Sequence, residues 1–158
     1  MPTTKAEVKT TYPLPVYNYK VDIGSTTVAF SEVSGLNVAY ETTTYKESSS
    51  EAGKVGPKVF RMPAQAVTTT LTLKKGLVPA KNKAALYDWI STISLNQVEK
   101  KDILISLCDE AGKAVVTWKV INAFPTKLDV PTFDANSNDV AIESMELMAD
   151  DIQINYAP

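Results

Sequence analysis

Residues 102–124, DILISLCDEAGKAVVTWKVINAF, contain two alternating apolar runs joined by a short polar turn. Apolar side chains recur at every second position, at Ile103, Ile105 and Leu107 in the first run and at Val116, Trp118 and Val120 in the second. Successive side chains of a strand point to opposite faces, so each run has one face suited to a core. Residues 109–112, Asp-Glu-Ala-Gly, have turn chemistry. The stretch therefore predicts a β-hairpin and a sheet-based fold.

Four further segments are typical of strands, because aromatic and β-branched residues alternate along them. They are residues 16–23, 26–46, 59–75 and 140–156. We expect Ser34–Gly35 to bend or bulge the second segment and Pro63 to break the first part of the third.

The apolar phase of the last strand segment changes along its length. Val140 and Ile142 fall on one face, whereas Met145 and Leu147 fall on the other. Two explanations remain open: a bulge near Ser144, or burial of both faces.

One helix is predicted at residues 82–93, NKAALYDWISTI, with Asn82 as a candidate N-cap. Apolar residues at i, i+3, i+4 and i+7 predict one buried stripe. The stripe comprises Leu86, Trp89, Ile90 and Ile93. The sum is a mainly β fold: an antiparallel, closed or nearly closed β-barrel of about six strands with one packed α-helix and a long extended loop.

The composition gives little sign of catalysis. The chain has 158 residues, the size of one domain, with 16 basic and 18 acidic residues, no histidine and a single cysteine, Cys108. Histidine is the usual general base and the commonest metal ligand, and neither phosphate-binding glycine motif occurs. We expect no enzyme activity, no cofactor and no metal site, and the net charge of −2 disfavours a general nucleic-acid binder. No signal peptide or membrane segment is predicted, so we expect synthesis and assembly in the cytoplasm.

One face of the strand predicted at residues 67–76, VTTTLTLKKG, is polar and suited to contact with water. Thr68, Thr70, Thr72 and Lys74 alternate with Val67, Thr69, Leu71 and Leu73. The first set is expected to face solvent, and the second set, which includes Val67, is expected to face the core. A phosphate site at the lysine pair 74–75 and an ordinary strand end are both possible from this pattern, and solvated lysines at strand ends are commoner.

Two extensions exceed what a simple monomeric barrel needs. Residues 1–15 are polar and broken by prolines, and we expect a loose N-terminal arm before a single domain at 16–158. Residues 47–58, ESSSEAGKVGPK, form a low-complexity loop of a length that is usually functional or disordered. Arms and long loops of this kind reach neighbouring copies in assemblies.

An ordered set of motifs resembles the tail tube protein family of contractile phage tails and phage-tail-like injection systems. The motifs are FSEVSGL (30–36), Tyr-Lys-Glu (45–47), RMPAQ (61–65), LTLKKGL (71–77), LYDWI (86–90), DILISLCDEAGKAVVTWKVINAFPTKLDVP (102–131) and VAIESMELMADDI (140–152). The departures from the family pattern are the serine-rich loop 47–58, Lys127-Leu128 and Asp150-Asp151.

The resemblance implies a structural subunit that forms hexameric rings stacked into a hollow tube, with the helix outside. The lumen-lining residues would be Thr68, Thr70, Thr72 and Lys74. The inter-ring contacts would come from Glu47, Ser48, Ser49, Ser50, Glu51, Lys54 and Lys58. The implied partners are further copies of the chain, a contractile sheath protein, baseplate or tube-initiator proteins, a terminator or cap, and cargo effector or phage DNA in the lumen. The implied final location is a phage tail or an injection particle.

Two alternatives stay open on the sequence. The chain would also suit a tube-initiating or terminating ring that does not polymerise. A monomeric barrel that binds a small ligand in its core is the alternative from a different class.

Overall fold

The computed structural model describes residues 1–157, which form ten strands and two short helical regions. The helical regions are α1 (Lys5–Thr11) and a segment composed of α2 (Pro79–Asn82), a π-helical stretch (Lys83–Tyr87) and α3 (Asp88–Ile90). The strands are β1 (Tyr19–Ile23), β2 (Thr26–Val28), β3 (Glu32–Ser34), β4 (Tyr40–Ser48), β5 (Pro57–Ala66), β6 (Thr69–Gly76), β7 (Lys101–Cys108), β8 (Ala114–Asp129), β9 (Ile142–Ala149) and β10 (Asp151–Tyr156). The predicted mainly β, antiparallel class is confirmed, although the described strands are shorter and more numerous than the six expected.

The long strand β8 organises the main sheet. It pairs with β7 along one edge, and with β10 and then β9 along the other. The sheet has eight strands: seven follow the order β2-β1-β7-β8-β9-β6-β3, and the eighth, β10, pairs with β8 beside this path. Every pairing in the sheet is antiparallel. The predicted hairpin of residues 102–124 is therefore the β7–β8 pair at the centre of the fold.

A bulge at Asn122 lets β8 serve both halves of this sheet. Asn122 has a φ of 54°, a left-handed conformation that asparagine tolerates better than most residues. Its backbone N–H donates to Asp102 Oδ1 at 3.0 Å, and its Nδ2 donates to Asp150 Oδ2 at 2.9 Å. Asp150 is also the break between β9 and β10, so both strands bend at the same level.

The first part of β8 belongs to one half-sheet, with β1, β2, β7 and β10, and its last part belongs to the other, with β3, β6 and β9. The core lies between the inner faces of these two half-sheets and the helical segment. Its most buried side chains are aliphatic or sulfur-containing: Leu71, Leu73, Leu86, Ile103, Val120, Met145 and Leu147. Trp89 closes the helical side, and its Nε1 donates to the carbonyl oxygen of Glu99 at 2.7 Å. Each such side chain contributes roughly 1.5–3 kcal/mol on full burial.

The predicted strand at residues 26–46 is three strands, β2, β3 and β4. The chain does turn at the expected place, Gly35, which has a φ of +92°. A Cβ there would lie 2.2 Å from the carbonyl oxygen of Thr70, so a larger residue would collide with the backbone of β6. Only glycine fits both the conformation and the space.

The predicted strand at residues 59–75 also divides, but not at Pro63. The break falls at Val67 and Thr68, between β5 and β6. Pro63 lies inside β5 opposite Thr42, next to a bulge in β5 itself. Proline is tolerated there because β5 pairs with β4 alone and the ladder is already interrupted.

The helix begins and ends earlier than the sequence pattern predicted. It starts at Pro79, where a proline costs no intrahelical hydrogen bond, and it ends at Ile90. Leu86 and Trp89 are buried and Ile90 is half-buried, whereas Ile93 lies beyond the helix and is 43% exposed. The assignment of Ile93 to the core stripe is therefore wrong.

Asn82 is not the N-cap; it lies inside the helical segment and is buried. Its Oδ1 accepts the backbone N–H of Val78 at 3.1 Å, and its Nδ2 donates to Glu143 Oε2 at 2.8 Å. The side chain thus ties the start of the helix to β9. Buried amides keep such partners because an unpaired one is costly.

The last predicted strand is two strands, β9 and β10, and β9 pairs with β6 in continuous register. The bulge considered near Ser144 is therefore wrong. The buried positions of β9 are Glu143, Met145, Leu147 and Ala149. The apparent shift of the apolar phase in the sequence arises because the charged Glu143 occupies an inward position.

The N-terminal arm contains a helix, α1, rather than only loose chain. Thr4 Oγ1 accepts the backbone N–H of Glu7 at 3.2 Å, while Glu7 Oε2 accepts the backbone N–H of Thr4 at 2.7 Å. This capping box satisfies two N–H groups that a helix start leaves unpaired. Lys9 of α1 pairs with Glu110 in the β7–β8 turn at 3.2 Å.

Candidate assembly surfaces

The β4–β5 hairpin forms a two-stranded sheet of its own. Within residues 1–157 it pairs with no other strand, and all residues of its two strands are exposed. A backbone hydrogen bond from Val67 to the carbonyl of Ala39 closes its base at 2.9 Å. An isolated two-stranded hairpin is marginally stable in water. A hairpin of this length therefore needs a surface to pack against.

The two faces of this hairpin differ in chemistry. One face carries Tyr45, Phe60 and Met62, which we call the apolar row. The rings of Tyr45 and Phe60 stack with centroids 6.0 Å apart, and Lys58 Nζ lies 5.2 Å from the Phe60 centroid. The opposite face is mostly polar, with Thr42, Thr44, Lys46 and Arg61. Only the first face has the composition of an interface core.

The hairpin tip is shorter than the loop predicted at residues 47–58. Glu47 and Ser48 end β4, and Lys58 lies in β5, so the tip itself is residues 49–56. Ser49, Ser50, Glu51 and Lys54 lie in this tip, where Lys54 Nζ and Glu51 Oε2 form an ion pair at 2.5 Å. All seven predicted contact residues thus lie at one end of the hairpin.

The alternation predicted for residues 67–76 is present in β6. Thr70 is exposed and Thr72 and Lys74 are half-buried on one face, while Thr69, Leu71 and Leu73 are buried on the other. Thr68 is exposed but precedes the strand. One expectation is wrong, because Val67 is exposed rather than in the core. Lys75 lies on the buried face and is only 8% exposed, unlike the solvated lysines that are common at strand ends.

The outer face of the β3–β6–β9 half-sheet is polar, and we call it the polar face. Thr72 lies between Ser34 of β3 and Glu146 of β9, and Lys74 lies between Glu32 and Ser144. Lys74 Nζ approaches Glu32 Oε2 at 3.5 Å. Hydroxyls and matched charges make this face hydrophilic without a strong excess of either sign.

Charge pairs continue along the adjoining part of β8 and into the turns. Lys127 Nζ lies 3.0 Å from Asp129 Oδ2, and this hydrogen bond and charge raise the pKa of Lys127. In the β7–β8 turn, Asp109 Oδ1 accepts the backbone N–H groups of Lys113 at 2.9 Å and Ala111 at 3.0 Å. These donors, Lys113 first, lower the pKa of the Asp109 carboxyl.

Reactive and metal-binding groups are sparse. Within residues 1–157 no three His, Cys, Asp or Glu side chains are grouped so as to hold a metal ion. Cys108 is buried, with its Sγ 3.6 Å from the carbonyl oxygen of Ser106. Over the same residues, no helix has the length and apolar character needed to cross a membrane.

Comparison with known proteins gives one family and several close structural relatives. The family described as T4-like virus tail tube protein gp19 matches residues 15–153. A chain from the PVC sheath-tube complex of an extracellular contractile injection system, in its extended state, is 43% identical with a TM-score of 0.88, and the match covers 99% of this chain and 100% of that one.

Two further relatives are each 46% identical. One comes from the tube-terminating cap of the anti-feeding prophage, with a TM-score of 0.83 and coverage of 92% and 93% of the two chains. The other comes from the PVC sheath/tube terminator in the extended state, with a TM-score of 0.81 and coverage of 91% and 97%. No curated protein matches the chain.

Proposed function

Because the chain belongs to the T4-like virus tail tube protein gp19 family, we propose that it is the main subunit of the inner tube of a contractile injection system. In this proposal six copies form a ring, and rings stack into a hollow tube. The chain has no enzymatic role, and its function is to provide a stiff conduit.

The observation that carries the proposal is the unpartnered β4–β5 hairpin. It projects an apolar row and pairs with no strand of its own subunit. A neighbouring copy is the simplest surface to cover this row, since the same hairpin is present on every subunit. Exposed apolar residues grouped in this way mark interaction sites in soluble proteins.

Ring formation also provides a partner for one end of the main sheet. β3 is a terminal strand, and one of its edges has no strand partner in the described chain. Exposed edges are sites of pairing between chains, and closure of sheets around a ring removes them. Backbone hydrogen bonds that run from subunit to subunit would make the tube stiff.

The polar face is proposed to line the lumen. Thr68, Thr70, Thr72 and Lys74 then face water inside the tube, with the Lys74–Glu32 pair limiting net charge. Short hydroxyl side chains neither block nor hold a passing macromolecule. The helical segment is proposed to lie on the outer wall.

The remaining parts of the chain fit the same scheme. Residues 16–158 are proposed as one tube domain, and residues 1–15 as an arm that reaches another copy. A contractile sheath protein, baseplate proteins, a terminator or cap, and cargo or DNA in the lumen are the proposed partners. The subunit is proposed to be made in the bacterial cytoplasm and to end in a phage tail or an injection particle.

Electron microscopy of the purified full-length protein tests the proposal. Long hollow rods with sixfold end views are expected in negative stain. Single rings that never stack would favour a terminating ring instead, an alternative supported by the likeness to chains of the cap and terminator structures. A stable monomer of about 17.2 kDa at high protein concentration would refute both assembly functions.

The hairpin tip provides a second test. Replacing residues 49–56 by Asn-Gly joins Ser48 to Pro57 through a two-residue hairpin turn. We expect rings without long tubes, because the tip contributes nothing to the core. A Gly/Ser tip of the original length is the matched control for length alone. Long tubes from the Asn-Gly variant would show that the tip does not stack rings.

Thiol accessibility tests the lumen. Thr70→Cys introduces an exposed thiol, while the native Cys108 is buried. A large polyethylene-glycol maleimide is expected to label Thr70→Cys only after tubes are dissociated. Ser91→Cys, at the exposed end of the helical segment, should react in both states. Equal labelling of the two variants on intact tubes would contradict the lumen assignment.

A further inference from the structure

A cleft next to the helical segment concentrates positive charge. It lies between β2, the helical segment and the ends of β6 and β7, with a volume of about 560 Å³, within the roughly 300–1,000 Å³ of ligand pockets. Lys75, Lys81 and Lys101 line it, and among the described residues no Asp or Glu does. The whole chain carries a net charge of −2, so this cleft is a local reversal of sign. Clefts lined by one sign of charge attract the opposite sign.

Lys75 is the unusual member of this cleft. It lies on the same face of β6 as Leu71 and Leu73 and is only 8% exposed. Lysines are almost never buried to this degree unless they are paired. Within residues 1–157, the ammonium group of Lys75 takes part in no salt bridge and donates no side-chain hydrogen bond.

The residue directly across from Lys75 forms no ion pair with it. Glu143 of β9 is its register partner and is also buried. However, the Glu143 carboxylate accepts the hydrogen bond from Asn82 at 2.8 Å and forms no salt bridge with Lys75. An ammonium group that opens on this cleft without an ion-pair partner gains free energy from an anion supplied from outside.

The other two lysines leave their charges directed at the same space. Lys81 is exposed on α2 and forms no salt bridge within the described chain. Lys101 Nζ lies 5.1 Å from the centroid of the Trp89 ring, a contact that fixes its position without cancelling its charge. Nearby lysines differ in this respect, since Lys83 and Lys100 pair with Asp88 and Asp150.

The shape of the cleft favours an extended peptide as the source of the anion. β2 is a terminal strand and runs along one wall, where its free edge offers backbone hydrogen bonds to an added strand. Thr26 and Thr27 add hydroxyls, while Ile23 and Val28 provide apolar contact for aliphatic stems. In an added strand every second side chain would point into the cleft.

We propose that this cleft binds an extended acidic segment of a protein partner, with alternate carboxylates held by Lys75, Lys81 and Lys101. The segment pairs with the free edge of β2. The site is independent of the hairpin and of the polar face, so it serves recognition of another component rather than closure of the ring.

Fluorescence anisotropy with the full-length protein tests this site. The probe is a labelled pentapeptide of alternating glutamate and threonine, and the control probe has glutamine in place of glutamate. We expect saturable binding of the first probe at least about tenfold tighter than the second. Lys81→Gln should weaken binding about fivefold, the upper range for one exposed charge pair. Lys54→Gln, at the hairpin tip, removes the same charge and should have no effect.

A second variant and a competitor separate the remaining outcomes. Lys75→Met keeps a linear side chain at the buried position and should weaken binding more than Lys81→Gln does, with circular dichroism verifying its fold. No saturable binding would overturn the proposal, and so would equal weakening by Lys54→Gln, since that outcome is nonspecific attraction. Inorganic phosphate that binds as tightly as the acidic peptide would also overturn it, by showing a small-anion site.

Discussion

Truncating the two aromatic side chains of the apolar row should weaken tube assembly while sparing the folded subunit. The variant is Tyr45→Ala/Phe60→Ala, which deletes the stacked pair on one face of the β4–β5 hairpin. Neither side chain belongs to the subunit core, and the hairpin pairs with no other strand. The stability of the isolated subunit should therefore change little, because surface substitutions are usually within about 0.5 kcal/mol.

The effect on assembly follows from the area that remains exposed in the free subunit. Tyr45 is 53% and Phe60 36% exposed. For aromatic side chains of about 200 Å², roughly 180 Å² is left for a neighbour to cover. Covering half of this area contributes about 2 kcal/mol per subunit at about 25 cal/mol per Å². The critical concentration for tubes should then rise about 30-fold, since about 1.4 kcal/mol is tenfold.

Sedimentation of tubes across a concentration series measures this critical concentration directly. Tyr87→Ala is the control, because Tyr87 is 56% exposed but lies on the helical segment. The control should assemble as the unaltered chain does, and chemical denaturation of both dissociated variants measures their folding. An unchanged critical concentration in the double variant would refute the assignment of the apolar row to an interface. A large loss of subunit stability would show that the hairpin belongs to the core instead.

Three further predictions concern the subunit alone and are measured by chemical denaturation of the dissociated protein. Trp89→Ala should cost about 3–5 kcal/mol, because it leaves a large cavity beneath the helical segment; a near-neutral change would mean that this face is not core. Gly35→Ala should cost at least about 2 kcal/mol, because its Cβ would lie 2.2 Å from the Thr70 carbonyl oxygen. Gly56→Ala has a similar φ of +94° with open space around it, so an equal cost would attribute the whole effect to backbone conformation. Asp109→Ala should destabilise the subunit at pH 7, because the pKa of Asp109 is lower in the folded state than in the unfolded chain. The carboxylate therefore contributes its full stabilisation above the unfolded pKa of about 3.9. This stabilisation is lost as the pH falls through the lower folded-state pKa. The difference from the unaltered chain should shrink at pH 2, and a difference independent of pH would exclude the carboxylate as its cause.

Periodicity predicted the central hairpin because its two strands have clean apolar faces and a short polar turn. Residues 102–124 needed no information beyond local alternation. The same reasoning over-extended the strands at 26–46 and 59–75, because composition does not reveal where an alternating chain leaves one sheet and enters another. Gly35 marked such a point through its conformation, whereas the break at Val67 and Thr68 left no signal in residue type.

Tertiary contacts decided the positions that local patterns assigned wrongly. Asn82 looked like an N-cap, but its amide serves Glu143, a residue far along the chain. Glu143 and Lys75 are charged residues at inward strand positions, and alternation rules assign such residues to solvent. A charge at an inward position, unexplained by its own subunit, is therefore a better indicator of a site than a lysine pair at a strand end.

The separation of core and hairpin has a consequence for how such a tube is built. The core of the subunit contains no residue of β4 or β5, so the fold does not depend on the hairpin. The hairpin, in turn, is only marginally stable by itself in water. A second surface that covers its apolar row would stabilise it. Ordering of the hairpin and contact with a neighbour are then one event, which adds an entropic cost to each docking step. A cost of this kind makes premature contacts between two free subunits weak and favours addition where several surfaces engage at once. In the proposed tube a growing ring or tube end would offer these surfaces, so we expect subunits to add at the end of a tube rather than to associate while free.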